Sequence, residues 1–555
     1  MCGFTIFVSK KNNFTEKLVN KDTLNHRGPD FFNSIKFKNI LISHWRLSIV
    51  DLSKKSNQPI ENKKYIFAYN GEIYDYNSLS KKFNLNNKEN SDTKFLFNLL
   101  CKKNNLNLIK NFSGFYSYAY LDKKKNKINF SRDTLGKKPL FYYKDREKFI
   151  ISSEEKGILN FIEKKIDDKS VFEYFFYKNI YFDKTFFKNI KSVPPGARLN
   201  FDINNWNLRS NKNWEKYYQE NMFRNLKRKD FNKNFKKTFI KSIEKRNFCD
   251  VKTQLALSSG YDSSLILNFI KKNNNIKNFD RAISIGFNKN SDETFVAKKI
   301  AHILKSKLKI INFKKIGLSN LEEIIKYYDA PLEHPSSIGI DLICKEVKKT
   351  DKVLITGEGA DDLLFGYDHY RKKKQSSFAF RTFITKKILK KILSDKKNLS
   401  IFNNVNNKNN IPFFRKIALS SSFLSRELEI KTHMQTLLKR NDRISMKNSV
   451  EIRCPFLDIN LIKLIPKNTK LRKQIFLKKF FDEKVFNLLN KEKKIGFFIP
   501  LLKLYESNKT KFNEYINISI NFFKLRGFNI SKDIQNNEEI KWVLLNIGIF
   551  LKQHK

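Results

Sequence analysis

The sequence predicts two domains: a β-rich α+β domain over residues 1–210 and an α/β domain over residues 211–555, built on a parallel sheet with additional helices. Three observations lead there. At 555 residues the chain is longer than one hydrophobic core usually organises. Several short runs in the first 200 residues alternate apolar and polar side chains, as strands with one covered face do. From about residue 230 strands are followed by helical stretches, the alternation that builds a parallel sheet with helices on its faces.

Taken in order, GFTIFVS, NILISHWRLSIVDL, KYIFAYNGEIY, FYSYAYLD, KINFSRD, KPLFYYK and KFIISSE read as strands, interrupted by one amphipathic helix from Asp92 to about Lys103. VPPGARLNF and the polar NWNLRSNKNWEKYYQ mark a seam, which sets the boundary near residue 210. Beyond it TQLALSSGYDSSLILNFIKK reads as a strand and a helix, RAISIGF and TFVAKKIAHILK repeat that unit, and KVLITGEGADD supplies another strand. From about residue 370 the chain is mainly helical, with the Asn-rich NNVNNKNN as loop.

Composition narrows the class. Hydrophobic residues make up 40% of the chain, as in globular proteins, yet no run of about 20 apolar residues could span a bilayer and the start lacks a secretory pattern. The expectation is a soluble, cytoplasmic protein without a membrane partner. Five cysteines (Cys2, Cys101, Cys249, Cys344, Cys454) are scattered, with no CxxC pair, so neither a disulfide frame nor a structural zinc site is expected. The formal charge of +55 would ordinarily point to nucleic acid. Here lysine is spread through nearly every segment and accompanies a general excess of Asn, Ile and Phe, which reads as compositional bias with solvated lysine faces. The basic runs at Lys123-Lys124-Lys125 and Lys372-Lys373-Lys374 are at most weak anion contacts, and no RNA-binding interleaving of aromatics is seen.

Three stretches carry chemistry. In MCGFTIFVSK, trimming of Met1 before a small second residue would leave Cys2 with a thiol and a free α-amino group, a built-in nucleophile and base. In LALSSGYDSS a buried strand (Leu255 to Leu257) enters the small-residue turn Ser258-Ser259-Gly260, then a helix bearing Asp262, Ser263 and Ser264. Backbone N–H groups and hydroxyls at such a helix start favour phosphate, although the Gly-Lys-Ser/Thr element of a Walker loop is missing. Alone, the stretch reads more readily as a capped helix behind a tight turn. The acidic turn of KVLITGEGADDLLFGYDHY shifts the balance. Gly357 and Gly359 let backbone approach a ligand, while Glu358, Asp361 and Asp362 crowd carboxylates that repel unless a cation or proton sits among them. Opposite a phosphate site Mg²⁺ is the economical cation, and both turns fall at the carboxyl ends of strands, where α/β sheets bind ligands.

Together these stretches resemble glutamine-hydrolysing asparagine synthetases. Cys2-Gly3, LNHRGPD, SHWRLSIVDL, YNGEIYDYNSL, SRDTLGKKPLFYY, SSGYDSS, GEGADD, NDRISMKNSVEIRCPFLD and KKIGFFIP occur in that family's order and cover nearly the whole chain. The resemblance implies an N-terminal-nucleophile glutaminase of stacked antiparallel sheets with flanking helices, joined to an ATP pyrophosphatase-type synthetase. It implies that Cys2 attacks the glutamine side-chain carbonyl with its own α-amino group shuttling the proton, and that Asn70 and the N–H of Gly71 form the oxyanion hole. Arg46 would clamp the glutamine α-carboxylate, Glu72 and Asp92 would hold its ammonium, and Leu47 and Ile49 would make backbone contacts to glutamine.

In the second half Ser258, Gly260, Asp262, Ser263 and Ser264 would bind pyrophosphate, and Leu257, Ile285, Thr356 and Gly357 the adenosine. Asp262 and Asp361 would hold Mg²⁺, Glu358 would take a proton from attacking ammonia, and Lys494 would steady phosphate charge. Substrates would be glutamine, aspartate and ATP, with ammonia passing between domains and a homodimer as the assembly. The ordinary readings of single residues are a buried thiol at Cys2, a hairpin turn at Asn70-Gly71, a surface arginine at Arg46 and a helix cap at Asp92. His26 reads as part of a turn held by Gly28-Pro29-Asp30, and Pro455 to Asp458 as packing.

The chain departs from the family's pattern at Ser259 and Tyr261 in the loop, at Asp362 and Leu364-Phe365 in the acidic turn, and at Glu492-Lys493. Ser259 would be strained if its position requires φ > 0. Three functions stay open: amidation of aspartate; the same machinery on another carboxylate such as a sugar acid, in a pocket lined near Tyr261 or Leu364-Phe365; and an inactive basic binding protein.

Overall fold

The computed structural model describes residues 2–11, 20–85, 91–181, 183–210, 228–286, 293–312, 316–364, 366, 391–392, 394–405, 430, 433–465, 473–491 and 501–554. Lys494, Phe365, Glu492-Lys493, Lys372-Lys373-Lys374 and KKIGFFIP lie outside them. NNVNNKNN divides: its first three residues end the helix Lys396–Val405, which corrects the loop reading there, and the rest lies outside.

The N-terminal half holds β1 (Cys2–Ser9), β2 (Phe31–Phe37), β3 (Ile40–Arg46), β4 (Ile60–Glu61), β5 (Tyr65–Ile73), β6 (Gly114–Asp122), β7 (Lys127–Arg132), β8 (Phe141–Lys144), β9 (Lys148–Ser152), β10 (Lys191–Ser192), β11 (Arg198–Asp202) and β12 (Asn207–Ser210). They form two 6-stranded sheets, ordered β10-β8-β9-β1-β3-β2 and β12-β11-β7-β6-β5-β4. Their strands pair antiparallel. Alternation turns Phe4, Ile6 and Val8, Ile40 and Ile42, Ile66 and Ala68, and Ala119 and Leu121 into one apolar layer between the sheets.

The outer faces are covered by helices. Tyr65, Phe67 and Tyr69 of β5 meet Phe95, Leu96, Leu99 and Leu100 of an amphipathic helix whose bounds are those expected, Asp92–Lys103. This is α2, preceded by α1 (Tyr76–Lys82). Phe7, Leu41 and Ile150 on the other sheet meet α3 (Asp168–Tyr177). The reading of a single helix in this half is therefore corrected: α1, α3 and the short Glu155–Leu159 accompany α2. Every α3 residue from Val171 to Tyr177 is buried, so its stretch VFEYFFY shows no polar face for periodicity to reveal.

The second half is built on a 5-stranded sheet ordered β15 (Leu308–Asn312), β14 (Phe279–Gly286), β13 (Thr253–Ala256), β16 (Val353–Ile355) and β17 (Glu451–Arg453). All of its neighbours are parallel. Helices α4 (Tyr261–Lys272), Glu293–Ile303 and Ser337–Val347 flank it. Four later helices matter below: α5 (His433–Lys447), α6 (Lys473–Lys478), α7 (Lys509–Lys524) and α8 (Glu538–His554).

The halves are not independent cores. Phe175 of α3 packs on Phe523 of α7 with ring centroids 4.7 Å apart, and Phe186 packs on Phe550 of α8 at 5.2 Å. A buried charge network joins them as well: Arg27 lies 2.6 Å from Glu154 and 2.9 Å from Asp442 of α5, and Arg443 lies 3.0 Å from Glu154. Among the described residues no helix is long and apolar enough to cross a membrane.

Candidate active sites

The alternation that fills the inter-sheet layer also builds the first site. Continuing it toward one end places Cys2 beyond Phe4, His44 and Arg46 beyond Ile42, and Asn70 and Glu72 beyond Ala68, all on the same faces. Asn70 and Gly71 thus lie inside β5, not in a hairpin turn. The Cys2 amide donates to Asn70 Oδ1 at 3.1 Å, and the buried Asn70 Nδ2 has no hydrogen-bond partner. Burial would raise the Cys2 thiol, but His44, the amino terminus and the Leu47 backbone together bring it down to about 6. Arg27 Nε donates to the Cys2 carbonyl at 3.0 Å.

The remaining residues of this site carry structural duties. Arg46 is buried, not a surface arginine. It donates to Ser53 O and Asn57 Oδ1, each at 2.7 Å, and to Asp51 O, so it organises the loop after β3. Ile49 O accepts from Asp250 N at 3.0 Å, and the Leu47 and Ile49 side chains pack with Val353 and Met446 of the second half. Asp92 is the first residue of α2 and not its cap, which is Ser91. Its Oδ2 accepts from Tyr69 Oη at 2.8 Å and Ile73 N at 3.0 Å, tying α2 to β5. Glu72 Oε2 accepts from Arg453 Nη2 of β17 at 2.9 Å. Burial, with the nearby Asp92 and Glu451 carboxylates, pushes the Glu72 carboxyl up against the pull of Arg453.

Sequence reasoning passed over His44 and Arg453. Both stand in quoted motifs, SHWRLSIVDL and SVEIRCPFLD, but only strand pairing shows what they face. His26, by contrast, is structural as expected: its Nε2 lies 3.0 Å from Glu154 Oε2 and its carbonyl accepts from Ser449 Oγ at 2.8 Å. Asp458 caps the following helix through Asn460 N at 2.8 Å and pairs with Arg246 at 2.8 Å, in keeping with a packing role for Pro455 to Asp458.

The second site is a cavity of about 430 Å³ at the carboxyl ends of β13, β14 and β16, lined among others by Leu257, Ser258, Asp262, Ser263, Ile285, Thr356, Gly357, Glu358 and Asp361. Gly260 and Ser264 stand behind it: Ser264 Oγ donates to Gly260 O at 2.7 Å, and Gly260 N donates to Ser258 Oγ at 3.1 Å. Ser259 is absent from the positive-φ residues, so the strain that its Cβ would have brought does not arise. Gly357 is needed for protein packing. A Cβ there would lie 2.9 Å from the Asp262 Cβ, so the two turns touch only through a glycine. Gly359 has φ +86°, and a Cβ on it would overlap Leu457.

Lys473 of α6 sits between two of these carboxylates, its Nζ 2.6 Å from Asp262 Oδ2 and also bonded to Asp361 Oδ1. Two carboxylates converging on one point of positive charge form a hard-oxygen donor pair of the kind Mg²⁺ takes alongside substrate phosphates. Among the described residues no group of three or more His, Cys, Asp or Glu side chains is arranged to hold a metal. Glu358 Oε1 is bonded by Arg440 Nη2 of α5 at 2.6 Å, and Arg440 and Asn441 line the cavity. Tyr261 packs toward Phe481 at 6.0 Å and Leu364 is buried in the core; their own side chains are not in the lining, but the neighbouring Asp262 and Asp362 are.

The two sites meet at β17. Ile452 lines the cavity and the next residue, Arg453, reaches Glu72, so a single strand faces both sites.

Stacked antiparallel sheets with a cysteine at the first strand, joined to a parallel sheet with a phosphate-type turn, define an amidotransferase coupled to a synthetase. Residues 1–217 match the family described as a glutamine amidotransferase domain, and residues 234–511 match that described as asparagine synthase. The putative glutamine-hydrolyzing asparagine synthetase 2 of Methanocaldococcus jannaschii is 30% identical over 66% of this chain and 76% of its own length. Glutamine-hydrolyzing asparagine synthetase 3 of Bacillus subtilis is 27% identical over 84% of this chain and 80% of its own. Synthetase 1 of the same species is 26% identical over 93% and 89%. The chain belongs to the family of glutamine-hydrolysing asparagine synthetases.

Proposed function

We propose that the chain makes asparagine from aspartate, glutamine and ATP, with residues 1–210 as the glutaminase and 211–555 as the synthetase. The observation that carries the first half is the Asn70 amide: its oxygen is fixed by the Cys2 N–H at 3.1 Å while its buried nitrogen has no partner. An oxyanion forming beside Cys2 would satisfy that donor together with the Gly71 N–H. The thiolate attacks the glutamine amide carbon, the C–N bond breaks to release ammonia, and water hydrolyses the thioester to glutamate. Arg46 commits three of its five N–H groups to the loop and presents the rest to the α-carboxylate. Glu72 and Asp92 receive the ammonium. Leu47 and Ile49 contribute backbone, and their side chains seat the site against the synthetase half.

In the second half the aspartate side-chain carboxylate displaces pyrophosphate from ATP. The helix start at Ser258 to Ser264 receives the departing phosphates, while Leu257, Ile285, Thr356 and Gly357 border the nucleoside. Asp262 and Asp361 would hold Mg²⁺, which supplies charge neutralisation to the phosphates when bound. Lys473, released from between those carboxylates, would add its ammonium. Ammonia then attacks the acyl-adenylate carbonyl, Glu358 takes the proton, and AMP leaves. Lys494 is assigned to the same phosphates. Cytoplasmic location and a homodimer complete the reading.

Cys2→Ala tests the division of labour. It should abolish glutamine-dependent synthesis and spare synthesis from added ammonia; equal loss of both would remove Cys2 from nitrogen release alone.

A further inference from the structure

Helix α5 adds Arg440 and Asn441 to the wall of the synthetase cavity. The Arg440 guanidinium is held on two sides, Nη1 donating to Ser336 Oγ at 2.9 Å and Nη2 to Glu358 Oε1 at 2.6 Å. Its Nε and Nη2 also face Asn441 Oδ1, each at 3.4 Å. A guanidinium only donates, so the Asn441 amide is oriented with its oxygen toward Arg440. The amide nitrogen is left over. Asn441 is 0% exposed, and its Nδ2 has no hydrogen-bond partner in the protein. A buried donor left unpaired is costly, so one that stands on a cavity wall points to an atom of the ligand.

The chemistry of the reaction says which atom. Glu358 takes the proton of ammonia as it attacks the acyl-adenylate, so the reacting carbon of the acceptor lies beside Glu358, and Arg440 and Asn441 continue from Glu358 in one bonded chain. The phosphates are drawn elsewhere, to the start of α4. Beyond its reacting carboxylate, aspartate offers an ammonium, which only donates, and an α-carboxylate, which only accepts. A donor amide beside a guanidinium suits the carboxylate alone. We propose that Asn441 is a specificity-determining residue of the synthetase site: its Nδ2–H donates to the carboxylate of the acceptor that does not react, with the positive Arg440 beside it. The inference rests on the aspartate reading above and deepens it. It selects dicarboxylic acceptors, because an acid without the second carboxylate leaves the buried Nδ2 unpaired.

The test is the steady-state kinetics of pyrophosphate release by the full chain, with MgATP, added ammonia and aspartate. Asn441→Leu keeps the shape of the side chain and deletes the donor, so the KM for aspartate should rise about 10- to 100-fold while the KM for ATP stays within about 2-fold. An unchanged aspartate KM overturns the proposal. So does an equal rise for ATP, which would mark a structural role, and so does a fall in kcat alone, which would put the amide on the reacting carbonyl. If that variant does not fold, the native chain still decides. β-Alanine is aspartate without its α-carboxylate, and its kcat/KM should be at least about 10-fold lower; equal use of the two overturns the proposal. A native chain that releases pyrophosphate with a sugar acid and not with aspartate fails the functional reading and this inference with it, whereas aspartate turnover indifferent to Asn441 fails the inference alone.

Discussion

At the scale of residues, both sites depend on polar atoms that the fold holds ready. Asn70 illustrates this, because its oxygen accepts from the Cys2 N–H and its buried nitrogen has no partner. Asn70→Ala should therefore lower glutaminase kcat by about 10²- to 10³-fold with little effect on ammonia-dependent synthesis, measured as glutamate and asparagine release. Lys473 illustrates the other site. Lys473→Met leaves the buried Asp262 and the half-buried Asp361 facing each other with no ammonium between them. Its melting temperature should fall and then recover on adding Mg²⁺, far more than in the native chain. A variant whose stability ignores Mg²⁺ would remove the metal from these carboxylates.

At the scale of elements, strands were legible where alternation is regular. The runs that read as strands in the first half appear as β1, β3 and β5 to β9, and Asp92–Lys103 has the bounds expected. The misses have physical causes. β17 has three residues, too few for periodicity, and α3 is buried on all sides from Val171 to Tyr177 because sheet and C-terminal helices cover it. Motif order gave Cys2, Asn70 and Asp262 in sequence, but the partners Arg453, Lys473 and Arg440 come from elements that only tertiary packing brings in. Of these, β17 has the widest consequence. Arg453 is buried against Glu72, Glu451 and two carbonyls, so Arg453→Met should cost about 3–5 kcal/mol of stability and impair the glutaminase, read by thermal unfolding and glutamate release. Loss confined to ammonia-dependent synthesis would contradict its place between the sites.

At the scale of the whole molecule, the halves are locked by aromatic packing and by a buried charge network around Glu154. His26 sits in that network, where burial depresses its ring to about 4 from 6.5 although Glu154 opposes this. Between those values the unfolded chain binds a proton that the folded chain refuses. Stability is therefore full above pH 6.5 and falls as pH drops toward 4, and His26→Gln should remove on the order of 2–3 kcal/mol of that dependence in denaturant titrations. A profile that keeps its slope in the variant would assign it to other groups. The same locking places the two sites on either side of β17. The most direct test of that coupling is to supply the purified chain with MgATP, glutamine and aspartate and follow asparagine, glutamate, AMP and pyrophosphate together. Equal amounts of all four are predicted; glutamate released without asparagine or AMP, or ADP in place of AMP, would contradict it.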